Sequence, residues 1–497
     1  MYLIGYDIGS SSIKAALVDA FSGQTIKVVQ HPETEMNIIA QQPDWAEQDP
    51  ELWWDSVCQA TKNLLKQTGL DGTDIKGIGI SYQMHGLVLV DKAKEVLRPS
   101  IIWCDSRAVE IGEQAFQEIG PNICLNQFLN SPGNFTASKL KWVKDNEPEI
   151  YSRIDKMMLP GDYIAMKLTG QVCTTPSGLS EGILWDFKKN DVATSLLDYY
   201  GLKHQFIPTI VPTCSLQGTV TNKAAELTGL FEGTPVAYRA GDQPNNALSL
   251  NVLEPGEIAA TGGTSGVVYG IIDRPVYDEA SRVNSFAHVN YTDTQERIGV
   301  LLCINGSGIL YSWMKQQIAE HNISYTDMEQ MASGISIGSE GLRILPFGNG
   351  AERMLGNENM GAQINNLQFN RHKKAHFYRA GLEGIAFSFV YGIQVLREMG
   401  FTIKVMRVGN DNLFQSKVFA DTIASLVDCE ITVVETTGAV GAAKAAGLKT
   451  GFFKTLKEAI GKTGELMTYY PQKKGEYEQA YQTWKADLEK ILNQQKT

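Results

Sequence analysis

A β-hairpin with a turn rich in glycine, serine and threonine occurs twice in this chain, once near the start of each half. In the first copy the predicted strands are Tyr2–Asp7 and Ile13–Asp19, and in the second they are Glu257–Ala260 and Val267–Ile272. The two copies share little sequence identity, but both have the order strand, turn, strand. This repeat predicts an α/β protein built from two related domains with a cleft between them.

Both turns are candidates for phosphate binding, because each brings backbone N–H groups and hydroxyls together in a small concavity. Asp7, at the end of the first strand, could hold Mg²⁺ directly or through water. Either turn taken alone is more simply an ordinary solvated hairpin, but the pair suits a polyphosphate held from two sides. The residues assigned to phosphate in the two turns are Ser10, Ser11, Gly263 and Thr264.

Length, charge and cysteine usage limit the class of protein. The 497 residues require two or more domains, which we place at residues 1–244 and 245–497. A formal net charge of -11 argues against nucleic acid as the main partner, since phosphate backbones are bound by basic surfaces. No signal peptide or membrane-spanning run is recognisable, and the seven cysteines are scattered. We therefore expect a cytoplasmic protein with free thiols and no membrane partner, and a homodimer stays open.

Asp242 follows a short apolar run, Pro235–Tyr238, at a glycine-containing turn. A carboxylate that faces a crevice at the carboxyl end of a strand can act as a general base. The same residue could instead be the N-cap of a helix that runs from Asn245 onward. The spacing by itself does not decide between a base and a cap.

Two loops carry side chains that could contact a sugar. In the loop Gln83–Gly86, His85 could hydrogen-bond a hydroxyl while Met84 packs against carbon atoms. At the end of a later strand, Trp103 offers an apolar face and Asp105 could accept hydrogen bonds from hydroxyls. The alternatives are ordinary ones: a structural histidine, a core tryptophan and a turn-forming aspartate.

The last part of the chain has two features that suit a nucleotide. Gly409 ends a predicted strand and Asn412 lies where a helix opens, so the helix N-terminus could hold phosphates or a ribose. The stretch Gly438–Gly447 consists almost entirely of small residues. It would let a flat base approach closely, although tight packing of a helix on a sheet is the simpler explanation.

These segments together resemble the FGGY carbohydrate kinases of the actin-like ATPase superfamily, and among them the xylulokinases. The resemblance runs from about Tyr2 to about Lys449. QMHG followed by IIWCDSR is the part most typical of xylulokinases, whereas GAVGAAKAAG is typical of the whole family. The other segments that carry the resemblance are YDIGSSSIK, WAEQDPELWW, LPGDYIAMKLTG, the AGD that ends at Asp242, and TGGTSG.

The resemblance implies an α/β fold of two RNase-H-like domains, as in actin-like ATPases, around a central cleft where ATP and Mg²⁺ are used to phosphorylate a sugar. It implies that Asp242 is the catalytic base and that Asp7 is the carboxylate beside the metal and the phosphates. The expected substrate contacts are Met84, His85, Trp103, Asp105 and Gln243. The expected nucleotide contacts are Ser10, Ser11, Gly263, Thr264, Gly306, Gly409 and Asn412.

Three segments depart from the family pattern. Only Gly409 remains of the usual glycine triplet, Asp242 is followed by Gln243 where asparagine is usual, and Leu345–Arg353 follows the Gly-Glu-Arg pattern loosely. None of these changes removes the base or a phosphate turn. We therefore expect a kinase that converts D-xylulose to D-xylulose 5-phosphate. The alternatives are a kinase for ribulose, fuculose or glycerol, and a non-catalytic actin-like nucleotide-binding protein.

Overall fold

Two mixed β-sheets, one in each half of the chain, form the framework of the computed structural model, which describes residues 1–410, 412–461 and 464–495. The strands of the first half are β1 (Tyr2–Ile8), β2 (Ile13–Asp19), β3 (Thr25–His31), β4 (Glu47–Gln48), β5 (Ile75–Tyr82), β6 (Val88–Val90), β7 (Ser100–Ile101), β8 (Lys156–Met158), β9 (Cys173–Thr174), β10 (Trp185–Asp186), β11 (Asp191–Val192), β12 (Thr209–Ile210) and β13 (Val236–Gly241). The helices of this half are α1 (Pro50–Thr68), α2 (Val109–Ile119), α3 (Pro121–Phe128), α4 (Thr136–Asn146), α5 (Pro148–Arg153), α6 (Pro160–Thr169), α7 (Pro176–Glu181), α8 (Thr194–Tyr200), α9 (Asn222–Thr228) and α10 (Asp242–Ser249).

The second half repeats this combination of a hairpin, parallel strands and covering helices. Its strands are β14 (Glu257–Gly262), β15 (Gly266–Ile272), β16 (Asn284–Ala287), β17 (Ile298–Ile304), β18 (Arg343–Leu345), β19 (Gln363–Asn365), β20 (Val405–Gly409), β21 (Ile431–Val434) and β22 (Glu465–Tyr469). The helices are α11 (Gly308–Gln317), α12 (Tyr325–Ser333), α13 (Lys374–Glu398), α14 (Lys417–Val427), α15 (Gly438–Lys449), α16 (Leu456–Ile460) and α17 (Lys474–Gln495). Short 3-10 helices lie at His204–Phe206, Ser339–Gly341, Arg353–Leu355 and Asn412–Gln415.

The two sheets have the same internal topology. In the first, the order is β13-β5-β1-β2-β3, with β1, β2 and β3 antiparallel and with β5 and β13 parallel to β1. In the second, β17, β15 and β14 form the antiparallel part and β20 and β21 the parallel part. The strands β16 and β22 extend the second sheet at its two edges. The prediction of two related α/β domains of the RNase-H-like type is confirmed.

Local sequence signals account for helix α1. Asp49 precedes it in extended backbone and accepts a hydrogen bond from the N–H of Glu51, as a helix N-cap does. Pro50 occupies the first turn, where its missing N–H costs nothing, and Gly69 ends the helix in the left-handed conformation. All three are local signals that the amino-acid sequence itself carries.

Helix α15 belongs to the end of the chain but packs on the first sheet, against β1 and β5. The approach is so close that a Cβ atom on Gly5 would lie 1.9 Å from the backbone oxygen of Ala439. A Cβ atom on Gly79 would lie equally close, at 1.9 Å, to the oxygen of Ala442. The small residues of this segment therefore serve tight helix–sheet packing, which the sequence had favoured over contact with a base.

The two halves are joined along the edge strand β16. Asn130 donates a side-chain N–H to the oxygen of Ser285 at 2.7 Å and accepts the N–H of the same residue at 3.0 Å. Ser180 accepts the N–H of Ala287 at 2.9 Å, and Ser177 donates to the oxygen of Ala287 at 2.9 Å. Side chains of the first half thus satisfy the open edge of the second sheet and fix one side of the cleft.

The division at residues 244 and 245 falls within helix α10, which begins at Asp242, and that division stays a prediction. All seven cysteines are free, as expected from their spacing. Among the described helices, none is both long and apolar enough to cross a membrane.

Candidate functional site

Two carboxylates meet where the sheets face each other. Asp7 lies near the end of β1, and its carboxylate accepts a hydrogen bond from the Ser81 hydroxyl at 2.9 Å. Burial raises the pKa of Asp7, and this is only partly offset by the Ser81 hydroxyl and by Lys14. Burial, followed by the negative charge of Asp7, raises the pKa of Asp242 to about 7. The pair is therefore a site where positive charge would be strongly favoured.

The structure bears on whether Asp242 is a base or a helix cap. Helix α10 begins at Asp242 itself and not at Asn245, and the N-cap position belongs to Gly241. The expectation that Asp242 precedes the helix is corrected, because the backbone turns into helical geometry directly at the strand end. Its carboxylate receives hydrogen bonds from the backbone and side chain of the adjacent Gln243. The side chain thus stands at the junction of β13 and α10, at the level of Asp7.

The loop that contains His85 is held in an unusual conformation. His85 has a φ of 63°, in the left-handed region that residues with a side chain rarely adopt. Its ring nitrogen Nδ1 lies 2.9 Å from the backbone oxygen of Glu181. Because a carbonyl only accepts, Nδ1 carries the proton and Nε2 is left as an acceptor. Burial and the nearby charge of Lys139 lower the pKa of His85 to about 3, so the ring stays neutral.

Aromatic rings fix the position of this imidazole. Phe135 packs edge-on against it at 4.8 Å between ring centroids, and Phe286 of strand β16 lies at 5.6 Å. Met84 is buried, and its Cγ lies 2.6 Å from where a Cβ on Gly241 would be. The loop is therefore adjacent to Asp242 on one side and to the second domain on the other.

Trp103 and Asp105 have different environments despite their proximity in sequence. The Trp103 side chain is 54% exposed and donates from Nε1 to the Ser10 hydroxyl at 3.3 Å, next to the first phosphate turn. Asp105 is fully buried and accepts the N–H of Ala46 at 2.6 Å together with a pair of hydrogen bonds from Arg107. Its carboxylate is thus occupied by protein groups, which fits a turn-fixing residue better than a sugar contact.

The first phosphate turn is short and anchored. Gly9 donates its N–H to the oxygen of Ser12 at 3.2 Å, which closes the turn. The Gln48 amide donates to the oxygen of Ser10 at 2.7 Å, and Met36 donates its N–H to the oxygen of Ser11 at 2.8 Å. The carbonyls of Ser10 and Ser11 are thus held by protein donors, and the Ser10 hydroxyl accepts the hydrogen bond from Trp103.

The second phosphate turn borders a cavity of about 530 Å³ in the second domain. Gly263 and Thr264 line it, and their backbone oxygens accept the N–H groups of Gly308 and Ile309, at 3.0 and 3.1 Å, where helix α11 begins. Gly306 precedes this helix, and its N–H donates to the Glu352 carboxylate at 2.7 Å. The turn and the helix start thus form one unit.

A second cavity, of about 260 Å³, lies between the two domains and contains residues from both predicted sites. Asp7 and Gln243 line it from the first sheet and helix α10, and Gly409 lines it from the end of β20. Asn412 begins a 3-10 helix, but its side chain, like residue 411, lies outside the described part of the chain. Leu413, the next residue, lines the larger cavity.

Sequence reasoning missed three buried polar residues around the site. Lys139 donates from Nζ to the oxygens of His85 and Ile102. Glu181 is buried beside Gly241, and burial raises the pKa of its carboxyl well above the usual value. Glu352 also accepts the N–H of Asn305 at 3.0 Å. The sequence carries no clear signal for any of them, and Lys139 lies among the buried residues of helix α4, which are Thr136, Ala137, Ser138, Lys139, Leu140 and Val143.

Comparison with known proteins agrees with this geometry. Residues 2–249 match the N-terminal domain of the FGGY family of carbohydrate kinases, and residues 258–450 match the C-terminal domain. The xylulose kinase of Bacillus subtilis (strain 168) is 29% identical, over 97% of this chain and 95% of its own. The L-xylulose/3-keto-L-gulonate kinase of Escherichia coli (strain K12) is 30% identical, over 92% of this chain and 90% of its own. The ligand-bound xylulose kinase of Lactobacillus acidophilus has a similar structure, with a TM-score of 0.89 at 22% identity, covering 99% of this chain and 98% of the other.

Proposed function

The chain belongs to the FGGY family of carbohydrate kinases, and from this premise we propose that it transfers the γ-phosphoryl group of ATP to D-xylulose and forms D-xylulose 5-phosphate. The observation that carries the proposal is the pair Asp7 and Asp242, two half-buried carboxylates between the two phosphate turns. Support for the sugar comes from the xylulose kinases among its relatives and from the loop that holds Met84 and His85.

In this proposal Asp242 is the general base. As the acceptor oxygen forms its bond to the γ-phosphorus, its proton passes to the Asp242 carboxylate, and the bond from phosphorus to the bridging oxygen breaks to release ADP. A pKa of about 7 leaves the carboxylate ionised in much of the protein at neutral pH and basic enough to take the proton. Because the transition state is loose, orientation of the hydroxyl contributes more than basicity.

The residues present fit a magnesium ion. Asp7 would supply a hard oxygen ligand, and the negative charge of Asp242 nearby adds to the preference of the site for a cation. When bound, Mg²⁺ would neutralise charge on the phosphates and lower the cost of bringing them beside two carboxylates. The protein's own part is to hold Asp7 through the Ser81 hydroxyl.

The ketose contacts are assigned from the resemblance to the family, and the two loops that carry them support the assignment. His85 accepts a hydrogen bond from a sugar hydroxyl at Nε2, and Met84 packs against the carbon atoms of the sugar. The exposed face of Trp103 covers the sugar, and Gln243 places an amide beside the base. Asp105 takes a positioning role, since its carboxylate is paired with Arg107. The nucleotide contacts assigned are Ser10, Ser11, Gly263, Thr264, Gly306, Gly409 and Asn412.

The cysteines and the net charge also support the proposal, and two alternative functions compete with it. Free cysteines suit a reducing cytoplasm, and the net charge of -11 does not suit nucleic acid. Within the same class, the rival is a kinase for another sugar or polyol, because a relative at 30% identity is named for L-xylulose and 3-keto-L-gulonate. A binding protein without catalysis is the rival from another class, and the base-like environment of Asp242 favours chemistry over it.

The substrate is tested by ADP release with D-xylulose, L-xylulose, ribulose, fuculose and glycerol at equal concentrations. We expect the highest kcat/KM with D-xylulose. A preference of tenfold or more for another acceptor, about 1.4 kcal/mol of transition-state binding, would overturn the choice of sugar and leave the kinase assignment in place. Absence of ADP release with every acceptor would overturn the kinase assignment for this chain.

The base is tested by Asp242→Asn, which keeps the size of the side chain but cannot accept the proton at neutral pH. We expect ketose binding to persist and turnover to fall by roughly 10²–10⁴-fold. The matched control is Asp49→Asn at the cap of α1, where asparagine caps nearly as well as aspartate and turnover should not change. Retention of more than about a tenth of wild-type turnover by Asp242→Asn would contradict the base role.

A further inference from the structure

We infer that Lys139 is a positioning residue that holds the two ketose loops, one at His85 and one at Trp103, in a fixed relation to each other. The inference rests on the proposed function, because those loops are assigned to the sugar there. The two hydrogen bonds of the Lys139 ammonium go to backbone oxygens, those of His85 and Ile102. Lys139 thus acts through the backbone of the two loops.

The contacts of Lys139 join segments that are far apart in the chain. Its ammonium donates to the backbone oxygen of His85 at 2.9 Å and to that of Ile102, the residue before Trp103, also at 2.9 Å. Strands β5 and β7 do not pair with each other, and besides Lys139 the two loops are joined at one backbone bridge, where the N–H of Leu87 donates to the oxygen of Ile101 at 3.0 Å. One side chain thus connects the two carbonyls, and the third loop element, Asp105, lies close enough for its charge to act on the ammonium.

The His85 backbone needs such support. A φ of 63° is costly for a residue with a side chain, so neighbouring groups must hold it. Two contacts do so: Glu181 holds the ring through its backbone oxygen, and Lys139 holds the His85 oxygen. Loss of the second contact would free the peptide to rotate, and the ring nitrogen that faces a hydroxyl would move with it.

Burial makes a lysine costly at this position unless its charge and N–H groups are used. The Lys139 side chain is fully buried, and desolvation lowers its pKa to about 7. An apolar residue on this face of α4 would avoid that cost if packing were the only requirement. The lysine therefore has a function that an apolar side chain cannot perform, which is to donate hydrogen bonds to the backbone oxygens of His85 and Ile102.

The chain offers a matched control on the same helix. Lys144 also donates to two backbone oxygens, those of Tyr200 at 2.9 Å and Gly201 at 2.6 Å, but on helix α8 and away from the ketose loops. Lys139→Met and Lys144→Met remove the same charged group and the same type of hydrogen bond, although the oxygens that Lys144 contacts lie nearer to solvent. We expect the KM for ketose to rise at least tenfold in Lys139→Met, while the KM for ATP changes by less than threefold. Lys144→Met should leave both KM values within twofold of wild type.

A second measurement does not depend on activity. Amide hydrogen exchange on the protein without ligands should increase in residues 84–87 and 102–105 of Lys139→Met and should stay unchanged there in Lys144→Met. Lys139→Gln keeps two N–H donors on a shorter side chain, and it should show a smaller rise in ketose KM than Lys139→Met. This partial rescue would not be expected if bulk packing alone mattered.

The outcomes separate the inference from the proposed function. Equal changes in both KM values, or exchange that increases throughout α4 and not in the two loops, would overturn the positioning role. An unchanged ketose KM in folded Lys139→Met would overturn it as well. If wild-type protein releases no ADP with any acceptor, the proposed function fails, and the exchange result alone then decides whether Lys139 holds the loops.

Discussion

Asp7 and Asp242 carry the same charge in a half-buried cleft, and this determines how each titrates. Burial removes water that would stabilise both carboxylates, and each charge penalises the other. Such an arrangement is costly for an unliganded protein and favourable once positive charge is bound. This cost explains why the pKa of Asp242 lies near neutral pH.

The pH dependence of catalysis follows from this pair. In the proposed mechanism Asp242 acts in its ionised form, which predominates above its pKa of about 7. With both substrates below saturation and Mg²⁺ in excess, kcat/KM should therefore rise tenfold per pH unit below about 7 and level off above it. In Asp7→Asn the rise should move to lower pH, since one negative charge beside Asp242 is removed, and the magnesium requirement should increase. A wild-type rise centred below pH 5 would contradict this assignment.

The same titration affects stability. Asp242 has an ordinary pKa of 3.8 when unfolded and about 7 when folded, so between these values the folded state binds more protons. Stability is therefore lost as the pH rises from about 4 to about 7. Asparagine does not titrate, so Asp242→Asn should melt at a higher temperature than wild type. This difference in melting temperature should be at least about 2 °C larger at pH 8 than at pH 5. Thermal unfolding of both proteins at the two pH values checks this, and an equal difference at both would contradict it.

At the scale of the element, helix α15 shows how small residues link the two ends of the chain. The helix begins at Gly438, where a Cβ would lie 2.9 Å from the Asp7 carboxylate, and continues across β1 and β5. Its position therefore sets both the packing of the first sheet and the boundary of the carboxylate site. A change in the packing of α15 should therefore alter the carboxylate site and lower turnover.

Gly79→Ala tests this packing. The added Cβ would lie 1.9 Å from the backbone oxygen of Ala442, and no side chain can move aside to make room. We expect a loss of about 1–3 kcal/mol or more in the free energy of unfolding, with reduced turnover as α15 shifts. Gly475→Ala is the control, since nothing lies within 4 Å of its Cβ, and it should be neutral or slightly stabilising. Denaturant titration measures both, and wild-type stability in Gly79→Ala would refute the tight-packing explanation.

The whole molecule has two domains whose contact is uneven around the cleft. On one side, Asn130, Ser177 and Ser180 bind the backbone of strand β16. Nearby, the ring of His85 packs against Phe286 on the same strand. These contacts join the two halves of the chain along one edge of the cleft.

Asn130→Asp should weaken this edge. The change removes the N–H donor to the Ser285 oxygen, at a position that is only 2% exposed, and adds a negative charge. We expect a loss of about 1–3 kcal/mol in the free energy of unfolding. Asn126→Asp also removes an amide donor to a backbone oxygen, but on the surface, and should cost within about 0.5 kcal/mol. Equal free energies of unfolding for the two variants, measured by urea titration, would show that the contact between Asn130 and strand β16 does not stabilise the protein.

The sequence by itself determined the features that depend on neighbouring residues. The two hairpins, the limits of helix α1 and the strand that leads to Asp242 follow from local backbone preferences and from the alternation of apolar residues. The resemblance of QMHG and IIWCDSR to known kinases then gave the family, which the domain matches confirm. The individual site residues stay predictions.

Only the tertiary structure decided which polar groups are occupied and which are available. Asp105 and Trp103 lie two residues apart, yet the carboxylate is enclosed by Arg107 and Ala46 while the indole stays exposed. Lys139 and Glu181 became visible only when distant segments were brought beside His85. The physical reason is that hydrogen bonding and desolvation depend on atoms close in space, and most of those atoms come from residues far away in the chain.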